Sequence, residues 1–278
     1  MTHPLYDFGG QGPLIHLAVA NGFPPASYTP LARLLTPTFR VVSLPPRALW
    51  PDRETVEMPD SWETLADDLV AGLTQHDLPP VIAVGHSFGA IASMLAALNA
   101  PERIRALCLL DPTIFPPDIL RQIKAARAAG QRDIVPLAAG ARKRRRAFPS
   151  KEAAFEAWRK RRLFADWSDE ALWWYVESIL VPDGDRVTLV WPPEWEAHYY
   201  ETIYTDSWEI IPRLRGHWPI LVLRGETSDT FFADTARQMQ ALLPEATFDV
   251  LPGHGHLFPH AAPQATADRI LAWLQQIA

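Results

Sequence analysis

The sequence Gly85-His86-Ser87-Phe88-Gly89 constrains the fold of this chain more than any other stretch. It follows the apolar run 81–84 and precedes the run 90–98, whose alanine and leucine content favours a helix. A strand, Gly-x-Ser-x-Gly and a helix in this order indicate a nucleophile elbow, a strained turn that presents a serine hydroxyl above a sheet. The glycines lack the Cβ atoms that would clash where strand and helix pass closely. The alternative is a chance turn that contains a serine. The elbow interpretation makes Ser87 a nucleophile and the Phe88 N–H, at the helix N-terminus, a donor to nearby negative charge.

Outside this motif, short apolar runs alternate with helical patterns. This alternation indicates an α/β fold with a mostly parallel central sheet flanked by helices. The chain has 278 residues, of which 48% are hydrophobic, which is enough for one large core domain that carries an insertion. We assign residues 1–112 and 217–278 to this core domain.

Residues 113–216 show a different pattern, with charged helices in place of strand-like runs. Most of the chain's 11 tryptophans fall here, namely Trp158, Trp167, Trp173, Trp174, Trp191, Trp195 and Trp208. We interpret this segment as a helical cap folded over the carboxyl edge of the sheet, with most of its tryptophans in a core and one or two lining a pocket. The basic run 142–146 is expected to be solvated cap surface, and recruitment of an anionic substrate or acidic surface is the alternative.

Composition argues against several classes of function. A net charge of −6 disfavours general nucleic-acid binding. The start of the chain lacks the basic and apolar regions of a signal peptide, and no run approaches the ~20 apolar residues that span a bilayer. The single cysteine, Cys108, lies in an apolar run and is expected to be buried and inert. These features predict a cytoplasmic protein without a membrane span.

A serine hydroxyl is a poor nucleophile at neutral pH, so Ser87 needs a base and a carboxylate that orients the base. In this layout the acid and then the histidine follow later strands. The loop after one late apolar run contains Glu226 and Asp229, and the loop after the last run contains His254 and His256. Either carboxylate and either imidazole could serve.

These motifs together resemble the α/β-hydrolase superfamily, in which an elbow, a strand ending in Gly followed shortly by Asp, and a late Gly-His carry a catalytic triad. The resemblance covers nearly the whole chain and implies the α/β-hydrolase fold, with residues 113–216 as the variable cap. It also implies Ser87 as nucleophile, Asp229 as acid and His256 as general base. Asp111, which follows an earlier strand, is at a position where some relatives keep their acid instead.

The resemblance also implies a second oxyanion donor in the loop after the early strand. Many relatives have His-Gly and a hydrophobic residue there, whereas this chain has Asn21-Gly22-Phe23. We expect the N–H groups of Phe23 and Phe88 to form an oxyanion hole, with a plain Asn-Gly turn as the alternative. The residues expected to line the binding site are Asn21, Gly22, His86 and Trp50, although Trp50 could equally belong to a rigid connector.

A serine in the elbow indicates carbonyl chemistry. We expect a serine hydrolase that cleaves a carboxylic ester, or a related acyl bond, of a small to medium hydrophobic substrate through an acyl-enzyme that water resolves. We expect no cofactor, metal site, nucleic-acid partner or membrane span. The alternatives are a carbon–carbon bond hydrolase or an acyltransferase with the same triad, and a non-catalytic receptor that retains the fold.

Overall fold

A seven-stranded sheet organises the structure, a computed structural model that describes residues 2–131 and 134–277. Met1, residues 132–133 and Ala278, which the predicted domain boundaries include, lie outside this part of the chain. The strands are β1 (Tyr6–Gly9), β2 (Leu14–Ala18), β3 (Arg40–Ser43), β4 (Val81–His86), β5 (Ile104–Leu110), β6 (Ala147–Phe148), β7 (Leu180–Asp183), β8 (Arg186–Leu189), β9 (Ile220–Gly225) and β10 (Thr247–Leu251).

The strand order in the large sheet is β1-β3-β2-β4-β5-β9-β10. Only the edge strand β1 pairs in the antiparallel sense, with β3, and the other pairings are parallel. Both faces of a parallel sheet are covered, so its inner strands are continuous apolar runs. β4 accordingly is buried along its whole length. The mostly parallel sheet predicted from the sequence is confirmed.

Helices cover the sheet and fill the segment between β5 and β9. They are α1 (Thr29–Leu35), α2 (Glu63–Gln75), α3 (Phe88–Asn99), α4 (Pro117–Ala128), α5 (Pro136–Arg142), α6 (Lys151–Arg159), α7 (Asp169–Ile179), α8 (Pro193–Glu201), α9 (Ser207–Ile210), α10 (Ala233–Leu242), α11 (Phe258–Ala261) and α12 (Pro263–Gln276). Short 3₁₀ turns lie at Pro25–Tyr28, Arg47–Leu49, Pro101–Arg103, Arg162–Phe164 and Ile211–Leu214. Leu65, Leu69 and Leu73, spaced four residues apart, lie on the buried face of α2.

Residues 113–216, which we call the inserted segment, contain more than helices. β6, β8 and β7 form a small antiparallel sheet within it, so the expectation of a segment without strands was wrong. These strands are too short to produce a visible alternation, but one signal was available. Gly184-Asp185 forms the two-residue connection between β7 and β8, and Gly184 has a φ of +61°, which suits a tight hairpin turn.

The carboxyl ends of the parallel strands meet at one edge of the large sheet, where α/β proteins place their sites. The loops after β2, β4, β5, β9 and β10 all open there, and the inserted segment leaves the sheet after β5. Within residues 2–131 and 134–277, no helix has the length and apolar character needed to cross a bilayer.

Candidate active site

Ser87 occupies a strained turn between β4 and α3. Its backbone has φ 59° and ψ −120°, a region that side-chain-bearing residues rarely adopt. The close approach of strand and helix is visible at the two glycines. A Cβ on Gly85 would lie 2.5 Å from the carbonyl oxygen of Gly89, and one on Gly89 would lie 2.5 Å from that of Ala18. The sequence therefore folds into the elbow geometry, with the serine largely buried at the end of the strand.

His256 lies in the loop after β10 and reaches Ser87. Its Nε2 atom is 2.9 Å from Ser87 Oγ, and its Nδ1 atom is 2.6 Å from Asp111 Oδ2. Because a carboxylate can only accept, Nδ1 carries the hydrogen and Nε2 is left as the acceptor for the serine hydroxyl. The three side chains thus form one continuous hydrogen-bonded line.

The carboxylate against His256 comes from Asp111, not from Asp229. Asp111 follows β5 in a left-handed conformation with φ 44°, and its side chain is fully buried. Asp229 is exposed, and its carboxylate accepts a hydrogen bond of 3.4 Å from the Thr230 hydroxyl. The preference for Asp229 is therefore corrected. The loop after β9 turns that side chain outward, whereas the turn at Asp111 directs its carboxylate toward the imidazole.

Three donors surround the Asp111 carboxylate. Oδ1 accepts from Gly225 N–H at 2.8 Å, and Oδ2 accepts from the Ser228 hydroxyl at 2.5 Å as well as from His256. Ser228 Oγ itself accepts from the N–H groups of Thr230 and Phe231, which leaves its hydrogen for Asp111. A buried carboxylate needs such donors to remain charged. The loop after β9 therefore contributes a hydroxyl to the site in place of an acid.

The other sequence-based competitors have structural roles. Glu226 is exposed and accepts a hydrogen bond of 2.7 Å from Gly253 N–H, which ties the loop after β9 to the loop after β10. The carbonyl of His254 accepts from Thr227 N–H at 2.9 Å in the same tie. Neither side chain takes part in the line from Ser87 to Asp111.

His86 is held inside the protein instead of facing a ligand. The Tyr28 hydroxyl accepts from Ala20 N–H at 2.8 Å and donates to His86 Nδ1 at 2.7 Å. His86 Nε2 then donates to the carbonyl of His256 at 3.0 Å. Burial, followed by the nearby His256 and His260, lowers the pKa of His86 well below its usual value, so it is neutral. Both ring nitrogens have partners, and the expectation that His86 lines the binding site does not match this geometry.

The two expected oxyanion donors differ in the structure. Phe88 is the first residue of α3, so its N–H has no acceptor within the helix. The N–H of Phe23 donates to Ala20 O at 3.1 Å and closes a turn. Phe88 therefore offers a free donor beside Ser87, whereas Phe23 offers one that is shared with the turn.

The inserted segment holds the turn that contains Asn21 and Gly22. Asn21 Nδ2 donates to the carbonyl of Glu196 at 2.9 Å, and the Tyr175 hydroxyl donates to the carbonyl of Gly22 at 3.4 Å. Glu196 lies in α8 and Tyr175 in α7, and Arg144 links these two helices. It donates to the Glu196 carboxylate and, at 2.8 Å, to the Tyr175 hydroxyl. Burial disfavours the charge of Arg144, but Tyr175 and Glu196 outweigh it and raise the pKa of the guanidinium. Asn21 and Gly22 thus contact the inserted segment at the Glu196 carbonyl and the Tyr175 hydroxyl, and a part-buried ion pair between Arg144 and Glu196 supports these contacts.

The basic run 142–146 finds acidic partners within the chain. Arg142, Arg144 and Arg146 pair with glutamates of α8, which are Glu201, Glu196 and Glu194 in the same order. Arg145 lies over the ring of Phe148 at 4.5 Å. The alternate arginines therefore face one helix, which accounts for much of the run without an external anion.

Trp50 is a packed residue with one face on a small cavity. Its indole N–H donates to Pro45 O at 2.8 Å, and only 1% of its surface is exposed. The cavity, of about 40 Å³, adjoins His16, Phe88 and Gly89. Trp50 thus packs beside the elbow residues Phe88 and Gly89, and its place in a substrate pocket stays a prediction.

Sequence reasoning missed two hydroxyls. Ser228 bonds the Asp111 carboxylate, and Thr113 Oγ1 lies 3.0 Å from Ser87 Oγ. Thr113 follows Asp111 by two residues, so the position of a hydroxyl beside a candidate acid was a usable signal. Ser228 precedes Asp229, and nothing in the local pattern distinguishes which of the two side chains points inward.

Comparisons with known proteins agree with this architecture. The chain is 44% identical over 54 residues to Ethanol acetyltransferase 1 of Eremothecium cymbalariae, an alignment that covers 19% of this chain and 15% of that protein. Such alignments extend over only a small part of the length of these curated relatives.

Two solved structures are similar over nearly the whole chain. An E-2-(acetamidomethylene)succinate hydrolase is 21% identical with a TM-score of 0.75, covering 98% of this chain and 94% of that one. A marine microorganism esterase is 17% identical with a TM-score of 0.67, covering 98% and 99%. These likenesses show the fold. A family model described as the alpha/beta hydrolase family matches residues 14–269, and with the strand order and elbow above it, the chain belongs to the alpha/beta hydrolase family.

Proposed function

We propose that the chain is a serine hydrolase that cleaves a carboxylic ester through an acyl-enzyme on Ser87. The observation that carries the proposal is the hydrogen-bonded line from Ser87 Oγ through His256 to the buried Asp111 carboxylate. A nucleophile, a base and an orienting acid at these separations are the recurring arrangement of serine hydrolases on unrelated folds. The strained elbow at Ser87 supports the same role.

In the proposed first half-reaction, His256 Nε2 removes the hydroxyl proton as Ser87 Oγ attacks the ester carbonyl carbon. Asp111 holds the imidazole in the required tautomer and stabilises the cation that forms. The oxyanion accepts from Phe88 N–H and also from Phe23 N–H, which it shares with Ala20 O. The tetrahedral species then collapses, and the alcohol leaves with the proton from His256.

In the second half-reaction, water takes the place of the alcohol. His256 removes a proton from this water as its oxygen attacks the acyl carbon. The bond between that carbon and Ser87 Oγ breaks, and the serine regains its proton from His256. The carboxylic acid product is released.

The substrate we propose has a small to medium hydrophobic acyl group. Aromatic rings of the inserted segment pack against Phe23, in the turn that would supply the second oxyanion donor. The centre of the Phe23 ring lies 5.2 Å from that of Tyr175 and 6.2 Å from that of Trp167. Apolar surroundings with a few polar groups favour ligands of this kind. We further propose that the inserted segment acts as a cap whose displacement admits substrate.

Labelling with a fluorophosphonate probe tests the nucleophile. We expect the wild-type protein to be labelled and Ser87→Ala to be unlabelled with an unchanged circular dichroism spectrum. Ser93→Ala is the matched control, because Ser93 is a buried serine of α3 that bonds Gly89 O. Labelling of Ser87→Ala at the wild-type rate would refute the proposal. A wild-type protein that does not react would favour a non-catalytic receptor that retains the fold.

A panel of p-nitrophenyl esters of increasing chain length, with a diketone alongside, tests the bond that is cleaved. We expect turnover of the shorter esters and no cleavage of the diketone. Preferential cleavage of the diketone would instead identify a carbon–carbon bond hydrolase.

Acyl transfer to an alcohol is a second candidate, because the chain is 44% identical over 54 residues to Ethanol acetyltransferase 1 of Eremothecium cymbalariae. The two activities differ only in the second nucleophile. Adding ethanol to a turning-over p-nitrophenyl acetate reaction separates them. Ethyl acetate as the main product at modest ethanol concentration would favour transfer, and acetate alone would favour hydrolysis.

A further inference from the structure

The hydroxyl of Thr113 touches the reacting oxygen atom. Thr113 Oγ1 lies 3.0 Å from Ser87 Oγ, and its side chain is buried. The backbone reinforces this contact, because Thr113 N–H is 3.3 Å from the carbonyl oxygen of Ser87. Thr113 comes two residues after Asp111, so one short loop after β5 reaches both ends of the line through His256.

The direction of this hydrogen bond follows from the neighbouring ones. Asp111 accepts from His256 Nδ1, so Nε2 must accept and the single hydrogen of Ser87 is used on it. The Ser87 oxygen then has only lone pairs for Thr113. The Thr113 hydroxyl is accordingly the donor and Ser87 Oγ the acceptor.

We propose that Thr113 is a fourth catalytic residue, which donates a hydrogen bond to Ser87 Oγ and stabilises negative charge on that oxygen; this assignment rests on the proposed function above. Before reaction the bond fixes the serine rotamer with its hydrogen directed at His256. As the proton leaves, charge develops on Oγ, and a donor already in place is strengthened.

The same donor acts in the opposite direction during release of the acyl group. Water adds to the acyl carbon while His256 takes its proton, and the bond from that carbon to Ser87 Oγ then breaks. The electron pair of this bond goes to Oγ, which is protonated by His256 Nε2. Thr113 stabilises Oγ as a leaving group without giving up its own proton, so it is unchanged at the end of the cycle.

The test compares three proteins in pre-steady-state and steady-state assays with p-nitrophenyl acetate. Thr113→Val keeps the shape and the backbone N–H but removes the donor, and we expect its acylation and deacylation rates to fall about 10-fold or more with little change in KM. Thr113→Ser restores a hydroxyl and should recover most of both rates. Thr266→Val is the control, since Thr266 is a buried threonine of α12 that bonds Ala262 O.

Each outcome decides the assignment. Wild-type rates in Thr113→Val would overturn it, and so would a Thr113→Ser protein as impaired as Thr113→Val, because a structural role would not be rescued by the hydroxyl alone. If Thr113→Val does not fold, Thr113→Ala compared with Thr113→Ser gives the same contrast. A wild-type protein that forms no acyl-enzyme overturns the proposed function and the role of Thr113 with it. If the wild type reacts and Thr113→Val reacts equally fast, only the role of Thr113 is overturned.

Discussion

His256 Nδ1 lies 2.6 Å from Asp111 Oδ2, and Asp111 follows β5, the strand next to β4, which ends just before Ser87. Asp111→Asn removes the carboxylate with little change in shape. An amide beside Nδ1 favours the wrong tautomer of the imidazole, so we expect kcat to fall by about 10³–10⁴. The measurement is ester turnover under saturating substrate.

Asp229→Asn provides the matched comparison, since Asp229 is exposed on the loop after β9. We expect its kcat to stay within about twofold of wild type, as for most surface substitutions away from special features. The reverse pattern, with Asp229→Asn inactive and Asp111→Asn normal, would restore the sequence-based assignment.

Tyr28→Phe removes the hydroxyl that links Ala20 N–H to His86 Nδ1. Two buried polar groups then lose their partners, so the free energy of unfolding should fall by about 2 kcal/mol in urea titrations. Tyr6→Phe, on the exposed edge strand β1, controls for loss of a tyrosine hydroxyl and should change stability by less than about 0.5 kcal/mol. Equal stabilities of the two variants would show that the buried link contributes nothing.

Gly22→Ala combines two costs. Gly22 has a φ of +83°, and an added Cβ would lie 3.1 Å from the Glu196 carboxylate carbon. The positive φ alone destabilises alanine by about 1 kcal/mol. Gly216→Ala carries only this cost, because its φ is +74° and nothing lies within 4 Å of the added atom. We expect Gly22→Ala to be the less stable of the two in thermal unfolding and to be the only one with reduced kcat, because it displaces the turn that holds the proposed donor Phe23 N–H.

His260 should make stability depend on pH. Its ring is buried between Trp167 and Phe23, and burial lowers its pKa to about 3, although the bond to Ser27 O opposes the shift. Between pH 6.5 and 3 the unfolded chain binds a proton here that the folded protein does not, so stability falls as the pH drops below 6.5. By pH 5 the loss is about 2 kcal/mol.

His260→Phe keeps the ring stack and removes this titration. Urea unfolding at pH 7.5 and pH 5 should therefore give a smaller acid-induced loss of stability for the variant than for wild type. Equal losses in the two proteins would mean that His260 is not held neutral in the fold.

The sequence predicted the parts of the site that depend on local pattern. Ser87 was predictable because the elbow needs glycines at fixed offsets between a strand and a helix, and the parallel sheet was predictable because its buried strands are apolar runs. The choice of acid was not. Asp111 and Asp229 both follow strands that end at one edge, and only the backbone turn, with φ 44° at Asp111, determines which carboxylate reaches His256.

The inserted segment shows a similar limit. β6, β7 and β8 are two to four residues long, so their pairing depends on neighbours distant in sequence more than on their own composition. The partners of Arg144 could not be predicted either. A run of arginines indicates solvent-exposed surface, and only the position of α8 brings Glu196 to Arg144. Both the small sheet and the Arg144–Glu196 pair depend on contacts between residues that are distant in sequence.

The bond from His86 Nε2 to the carbonyl of His256 joins the loop that bears the imidazole to the residue just before Ser87. Ser87 and His256 are therefore held relative to each other by a hydrogen bond between the His86 side chain and the His256 backbone, which does not involve the inserted segment. The displacement of the inserted segment that we propose would therefore leave Ser87 and His256 in register. Substitutions in the inserted segment can then change substrate access, and substitutions in the loops around Ser87 can change the chemistry, each without the other.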